Sequence, residues 1–148
     1  MEVKELGHLV LYVRDLEASR RFYRDVLGWK EIGAAPGQMA MFSSGRTHHE
    51  LLLIEVGPGA TPIPQGRRVG MYHFGLKIGE SDDELRQALR ELIDAGANVV
   101  GTADHHVSHS IYITDPDGNE IELYIDVQPE IWREDPAAVM APARALRL

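Results

Sequence analysis

The chain contains no cysteine, so disulfides, thiolate nucleophiles and Cys-ligated zinc are all excluded. It is poor in basic charge: 15 Lys and Arg stand against 23 Asp and Glu, for a net charge of −8. No basic run exceeds the pairs Arg20-Arg21 and Arg67-Arg68, which argues against nucleic acid as a partner. No apolar run approaches the ~20 residues of a membrane span, and Met1-Glu2-Val3-Lys4-Glu5 does not read as a signal peptide. A cytoplasmic protein with no membrane partner is the expectation. At 148 residues the chain is long enough to bury a core without covalent staples.

What is present is a pattern that repeats. A strand over Leu6–Val13 puts Leu9, Leu11 and Val13 on one face and His8, Val10 and Tyr12 on the other. Asp15 reads as an N-cap, Leu16, Phe22, Tyr23, Val26 and Leu27 as a helical stripe, and Gly28 as the stop. Strands at Trp29–Ile32, Met39–Ser43 and His49–Val56 follow. The charged positions Arg20, Arg21, Arg24 and Asp25 read as a solvated helix face.

The second half has the same order. A strand at Tyr72–Ile78 leads to the capping box Ser81-Asp82-Asp83-Glu84, a helix with Leu85, Ala88, Leu89, Leu92 and Ile93 in phase, and Gly96. Strands are expected at Asn98–Thr102, Ser110–Thr114 and Glu120–Ile125. The organisation is α+β: a βαβββ module over 1–56, a Pro/Gly-rich linker over 57–69, a second module over 70–126 and a tail over 127–148. The two sheets are expected to form a cup around a metal site.

The repeat places chemistry at matching points. His8 and His73 head equivalent strands, and Glu122 interrupts the apolar run Ile121-Glu122-Leu123. Two imidazoles and a carboxylate suit a mononuclear metal with open positions, as in non-haem Fe(II) sites. Strand parity puts Glu122, Tyr124, Tyr112, Ser110 and Thr114 on one face, opposite Ile111, Ile113, Ile121, Leu123 and Ile125.

The segments Gly7-His8-Leu9-Val10-Leu11, Phe22-Tyr23-Arg24-Asp25-Val26-Leu27-Gly28, Tyr72-His73-Phe74 and Asp115-Pro116-Asp117-Gly118-Asn119-Glu120-Ile121-Glu122-Leu123 together resemble the vicinal oxygen chelate superfamily. That superfamily includes glyoxalase I, bleomycin- and fosfomycin-resistance proteins and extradiol dioxygenases. Within it, Thr47-His48-His49-Glu50, Asp104-His105-His106-Val107-Ser108 and Tyr112 are similar to segments of catechol 2,3-dioxygenase-like enzymes. The resemblance implies His8, His73 and Glu122 as ligands of Fe(II), with Mn(II) suiting the same donors. It implies His49, His105 and Tyr112 as catalytic residues, and an aromatic substrate with O2. A homodimer or higher homo-oligomer is expected, with the site formed within one chain or between swapped modules.

One departure concerns His106, which stands where those enzymes carry Gly; His106 and His109 are therefore alternatives to His105 as the acid. Aligning the modules puts Leu52 at the place of Glu122, where glyoxalase I has a second carboxylate. The readings that compete with a dioxygenase are a metal-dependent lyase, isomerase or thiol transferase, and a metal-free binder of the bleomycin-resistance type.

Overall fold

The computed structural model describes residues 1–148 as two compact units, Met1–Ile63 and Pro64–Leu148. In the first, β1 (Leu9–Val13) precedes α1 (Leu16–Arg21), a π turn (Phe22–Val26), β2 (Glu31–Ala35), β3 (Met39–Phe42) and β4 (Leu51–Glu55). In the second, β5 (His73–Gly79) precedes α2 (Asp82–Asp94), β6 (Asn98–Asp104), β7 (Ser108–Thr114) and β8 (Glu120–Asp126). After β8 come α3 (Pro129–Glu134), a 3-10 turn (Pro136–Met140) and β9 (Arg144–Ala145). No helix is long and apolar enough to cross a membrane.

The sheets have the same strand order, β1-β4-β3-β2 and β5-β8-β7-β6, with the first pair parallel and the rest antiparallel. The βαβββ repeat is therefore topological as well as sequential. The second sheet gains β9 at the outer edge of β6, a strand absent from the sequence expectation, which treated 127–148 as tail.

The helices start and stop where the capping residues indicate. Asp15 Oδ1 accepts from Ala18 N at 2.9 Å, and Glu55 Oε2 accepts from Leu16 N at 2.8 Å. Ser81 Oγ accepts from Glu84 N at 3.4 Å, while Glu84 Oε2 accepts from Glu80 N at 2.8 Å. Both helical segments end on a left-handed glycine, Gly28 at φ 66° and Gly96 at φ 70°; Ala97 N bonds back to Leu92 O at 2.9 Å in a Schellman motif, whereas Trp29 N reaches one residue further, to Tyr23 O at 2.9 Å, because the turn before it is a π turn.

Several boundaries differ from expectation, and two of them have a clear packing reason. The first helix widens into a π turn closed by Leu27 N to Phe22 O at 3.0 Å. Phe22 and Tyr23 are adjacent in sequence yet both buried, and an ordinary 3.6-residue turn would swing one of them outward. Strand β2 begins at Glu31, not Trp29, because the Trp29 N–H is spent on the helix cap; it runs on to Ala35, before the Pro36-Gly37 turn.

Each sheet buries one face against its helix. Leu11, Val13, Leu51 and Leu53 pack with Leu16, Phe22 and Tyr23; Ile111, Ile113, Ile121, Leu123 and Ile125 pack with Leu85 and Leu92. Alternation along β8 is strict, as parity required: Ile121, Leu123 and Ile125 are buried while the residues between them are not.

Arg20 departs from the solvated-face expectation. Its Nε and Nη2 grip Glu31 Oε2 and Oε1 at 2.8 and 2.7 Å, tying α1 to β2. That forked bond and the guanidinium charge hold the Glu31 carboxyl below its ordinary value of 4.5. A depressed folded-state pKa contributes stability that is complete above pH 4.5 and is lost as pH falls through the folded value. Glu31→Gln should therefore lower unfolding stability by about 1–2 kcal/mol at pH 7. The gap should narrow at pH 3, as urea titrations at the two pH values would reveal; a constant gap would refute the assignment.

Candidate metal and catalytic site

The polar face of the second sheet is built on one cross-strand row. Ladder pairing sets Glu122 opposite Tyr112 on β7 and Gly75 on β5, and sets His73 opposite Glu120. Glu122 Oε2 lies 3.2 Å from His73 Nε2. Two ligand atoms about 2.1 Å from one divalent ion, at right angles, lie about 3 Å apart, so this pair has the spacing of neighbouring ligands. His73 Nδ1 is buried without a hydrogen-bond partner, and Glu120 Oε1 stands 3.7 Å from it. Glu120 stands on the side of Nδ1 from which it would accept that N–H once Nε2 held a cation.

The other oxygen of Glu122 is held by hydroxyls. Ser110 Oγ donates to Oε1 at 2.6 Å and Tyr112 OH donates at 3.1 Å. His105 Nε2 is 2.7 Å from the Tyr112 oxygen, and with the phenol proton on Glu122 the imidazole is the donor there. Burial first, then the Glu122 charge and hydrogen bond, push the Tyr112 hydroxyl well above its ordinary 10.0, so it stays protonated at neutral pH. Ser110, fully buried, was missing from the sequence-derived catalytic set; its signal is parity with Tyr112 two residues away. Gly75 leaves room beside the row, since a Cβ there would press on Tyr124 Cε1 at 3.3 Å while meeting Glu122 Oε2 at an ordinary 3.8 Å.

The alternatives to His105 separate cleanly. His109 points to the helix side, with Nδ1 2.7 Å from Asp82 Oδ1 at the start of α2. His106 is exposed at φ 70°, the centre of a γ-turn closed by Val107 N to His105 O at 2.8 Å. It occupies the positive-φ position that Gly would fill without strain. His105 alone of the three meets Tyr112. His106→Gly should raise stability by about 0.5–1 kcal/mol and leave turnover unchanged. Thermal unfolding would detect the gain, and a destabilised variant would refute the strain.

His8 and His49 lie in the first unit. Neither is within a strand: β1 starts at Leu9, where Leu9 N bonds Glu50 O at 2.9 Å, and β4 starts at Leu51, which corrects the strand placement read from the sequence. The two rings are 4.6 Å apart, and His48 Nδ1 approaches His49 Nδ1 to 2.6 Å. Desolvation, then repulsion from His48 and His8, holds His49 below the ordinary imidazole value of 6.5. No three His, Asp or Glu side chains are grouped to hold a metal as the chain stands. The second unit brings together His73, Glu122, Tyr112 and His105; the first brings together His8 and His49.

Register supports the internal alignment. Leu52 pairs with Val10, two residues after His8, as Glu122 pairs with Gly75, two after His73. The first unit thus carries Leu where the second carries Glu.

Comparison with known proteins gives the chain its family. The chain is 35% identical over 134 residues to a catechol-2,3-dioxygenase of Bacillus subtilis, covering 90% of this chain and 46% of that protein. It is 31% identical over 150 residues to an iron-dependent extradiol dioxygenase of Rhodococcus jostii, covering 86% and 46%. The chain thus spans about half the length of these relatives. Among solved structures, a lactoylglutathione lyase from Agrobacterium tumefaciens superposes with a TM-score of 0.64 at 29% identity, covering 84% of this chain and 96% of that one. The profile of one family matches residues 5–123, from before β1 into β8, and the chain belongs to the Glyoxalase/Bleomycin resistance protein/Dioxygenase superfamily.

Proposed function

We propose that this chain is an Fe(II)-dependent extradiol dioxygenase that opens a catechol-like ring with O2. The observation carrying this reading is the Tyr112 hydroxyl, held between His105 Nε2 at 2.7 Å and Glu122 Oε1 at 3.1 Å on the face that bears His73. His73 and Glu122 would hold the iron with His8 as third ligand; Mn(II) would suit the same donors. When bound, the metal supplies adjacent positions for two substrate oxygens and O2, and a path for electrons.

The protein's own groups do the rest. Tyr112, at the edge of the row, hydrogen-bonds a substrate oxygen and fixes the ring's orientation. His105 holds a proton at Nε2 and delivers it to oxygen as the ring opens, through or beside the Tyr112 hydroxyl. His49, a neutral imidazole beside His8, takes a substrate hydroxyl proton. The relatives named as dioxygenases support this chemistry.

The similarity to a lactoylglutathione lyase, which matches nearly end to end, favours a second reading of oxygen-independent lyase chemistry. Leu52 speaks against it, because glyoxalase I of this superfamily uses a carboxylate at that place too. Oxygen uptake by anaerobically Fe(II)-loaded protein, against a catechol panel with metal-free protein as control, decides. Iron-dependent uptake with ring-opened product supports the dioxygenase; no uptake with iron bound turns the reading to the lyase. Within the first outcome, His49→Phe should keep iron and substrate binding while lowering kcat at least ~100-fold. Unchanged kcat would remove His49 from the mechanism.

A further inference from the structure

We propose that Arg46 is the positioning residue of the first unit, holding the backbone that carries His8 against the loop that carries His49. This rests on the dioxygenase reading above, in which His8 is a metal ligand and His49 a base. Both histidines stand just outside the sheet, His8 before β1 and His49 before β4, so the strand ladder does not fix them. The ladder stops one donor short. Glu50 O accepts from Leu9 N at 2.9 Å, but Glu50 N, which a parallel ladder would next offer to Gly7 O, is spent on Phe42 O at 2.9 Å. Ahead of Gly7 the chain from Met1 to Leu6 is exposed, so without another tie it would fray as a free terminus does.

The Arg46 guanidinium takes the place of the missing ladder bonds. Its Nη2 donates to Gly7 O at 3.0 Å and to Leu6 O at 3.2 Å, and its Nη1 to Glu5 Oε2 at 3.2 Å. On the other side Nε donates to Glu50 Oε1 at 3.0 Å. One planar group therefore binds the neighbour of His8 and the neighbour of His49 at once. The loop beneath it is braced. Buried Ser43 donates through Oγ to Thr47 O at 2.8 Å and accepts from Gly45 N at 3.0 Å, while Glu50 Oε2 accepts from Ser44 Oγ at 2.6 Å. The His8 and His49 rings are thereby brought to 4.6 Å between centroids. With its side chain 45% exposed, Arg46 adds little to global stability; its effect is on where the two imidazoles sit.

The test uses Arg46→Met, which keeps an unbranched stem and removes every donor, and Arg46→Lys, which keeps the charge but loses the fork. In metal-free full-length chain, proton NMR should show a nuclear Overhauser effect between the His8 and His49 rings of wild type that Arg46→Met loses. Fe(II) affinity, by chelator competition under argon, should fall at least ~10-fold in Arg46→Met. Its Tm should move by less than ~3 °C. Arg46→Lys should recover only a minor part of the lost affinity, because one ammonium cannot reach both partners. In a His8→Ala background, Arg46→Met should cost no further affinity, since a group acting through His8 then has nothing to act on. A retained Overhauser effect, unchanged affinity, full recovery in Arg46→Lys or an equal loss in both backgrounds overturns the assignment and leaves the dioxygenase standing. A larger fall in Tm would make Arg46 a determinant of folding and likewise overturn it. Unchanged Fe(II) affinity in His8→Ala alone would remove His8 from the ligand set, and the proposal with it.

Discussion

Glu122→Ala should weaken Fe(II) binding by at least ~100-fold and reduce ring cleavage to background. The carboxylate occupies the centre of the row, accepting from Ser110 Oγ and Tyr112 OH through one oxygen and facing His73 Nε2 through the other. Its loss removes the charge of a proposed ligand and frees both hydroxyls that orient it, so the imidazole and the phenol lose their fixed relation together. Glu122→Gln separates the two effects. The amide keeps an acceptor for Ser110 and Tyr112 but offers no anionic charge, so metal affinity should fall while the fold is retained. Competition of the protein with a chromogenic chelator, under argon, measures the affinity directly. An affinity within threefold of wild type in the alanine variant would remove Glu122 from the ligand set, whatever the activity shows.

The second large effect is expected far from any ligand. Asp115→Ala should cost about 3 kcal/mol, equivalent to a fall in Tm of roughly 10 °C for a chain of this size. Asp115 is 5% exposed, and its carboxylate accepts from Asp117 N at 3.0 Å, Asn119 N at 2.8 Å and Asn119 Nδ2 at 2.9 Å. Gly118, at φ 90°, completes the turn with its N–H on Asp115 O. This loop joins β7 to β8 and so sets which residue of β8 faces Tyr112. A one-residue slip would point Ile121 or Leu123 at the phenol and bury Glu122. The Asp-Pro-Asp-Gly segment shared with the superfamily therefore acts on the site through register. Differential scanning calorimetry tests it: a loss below 0.5 kcal/mol would show the loop to be held by other means.

Local signals in the sequence anticipated much of this. Asp15, Ser81, Gly28 and Gly96 marked both helices because capping is a property of a few adjacent residues. Period-two hydrophobic patterning along β7 and β8 put Tyr112 and Glu122 on one face, and the repeat put His8 and His73 at equivalent places. What local pattern does not encode was missed. The Arg20–Glu31 fork joins residues on different elements, and helical periodicity assigns Arg20 only to a charged face. The swing of His109 to Asp82 depends on how α2 lies over its sheet. The π turn follows from burying two adjacent aromatic rings, a demand made by the core. His49 fell outside β4 because the ladder with β3 reaches only Phe42 opposite Leu51.

The short strand β9 has a consequence for how copies of the protein coexist at high concentration. Its two pairs, Ala103 with Ala145 and Asp104 with Arg144, are reinforced by Thr102 Oγ1 donating to Leu146 O at 2.8 Å. They occupy the outer hydrogen-bonding groups at one end of β6, which would otherwise be an open template for another molecule's strand. Colloidal behaviour is thus tied to these six residues, and truncating β9 would expose the edge of β6 to a neighbouring strand.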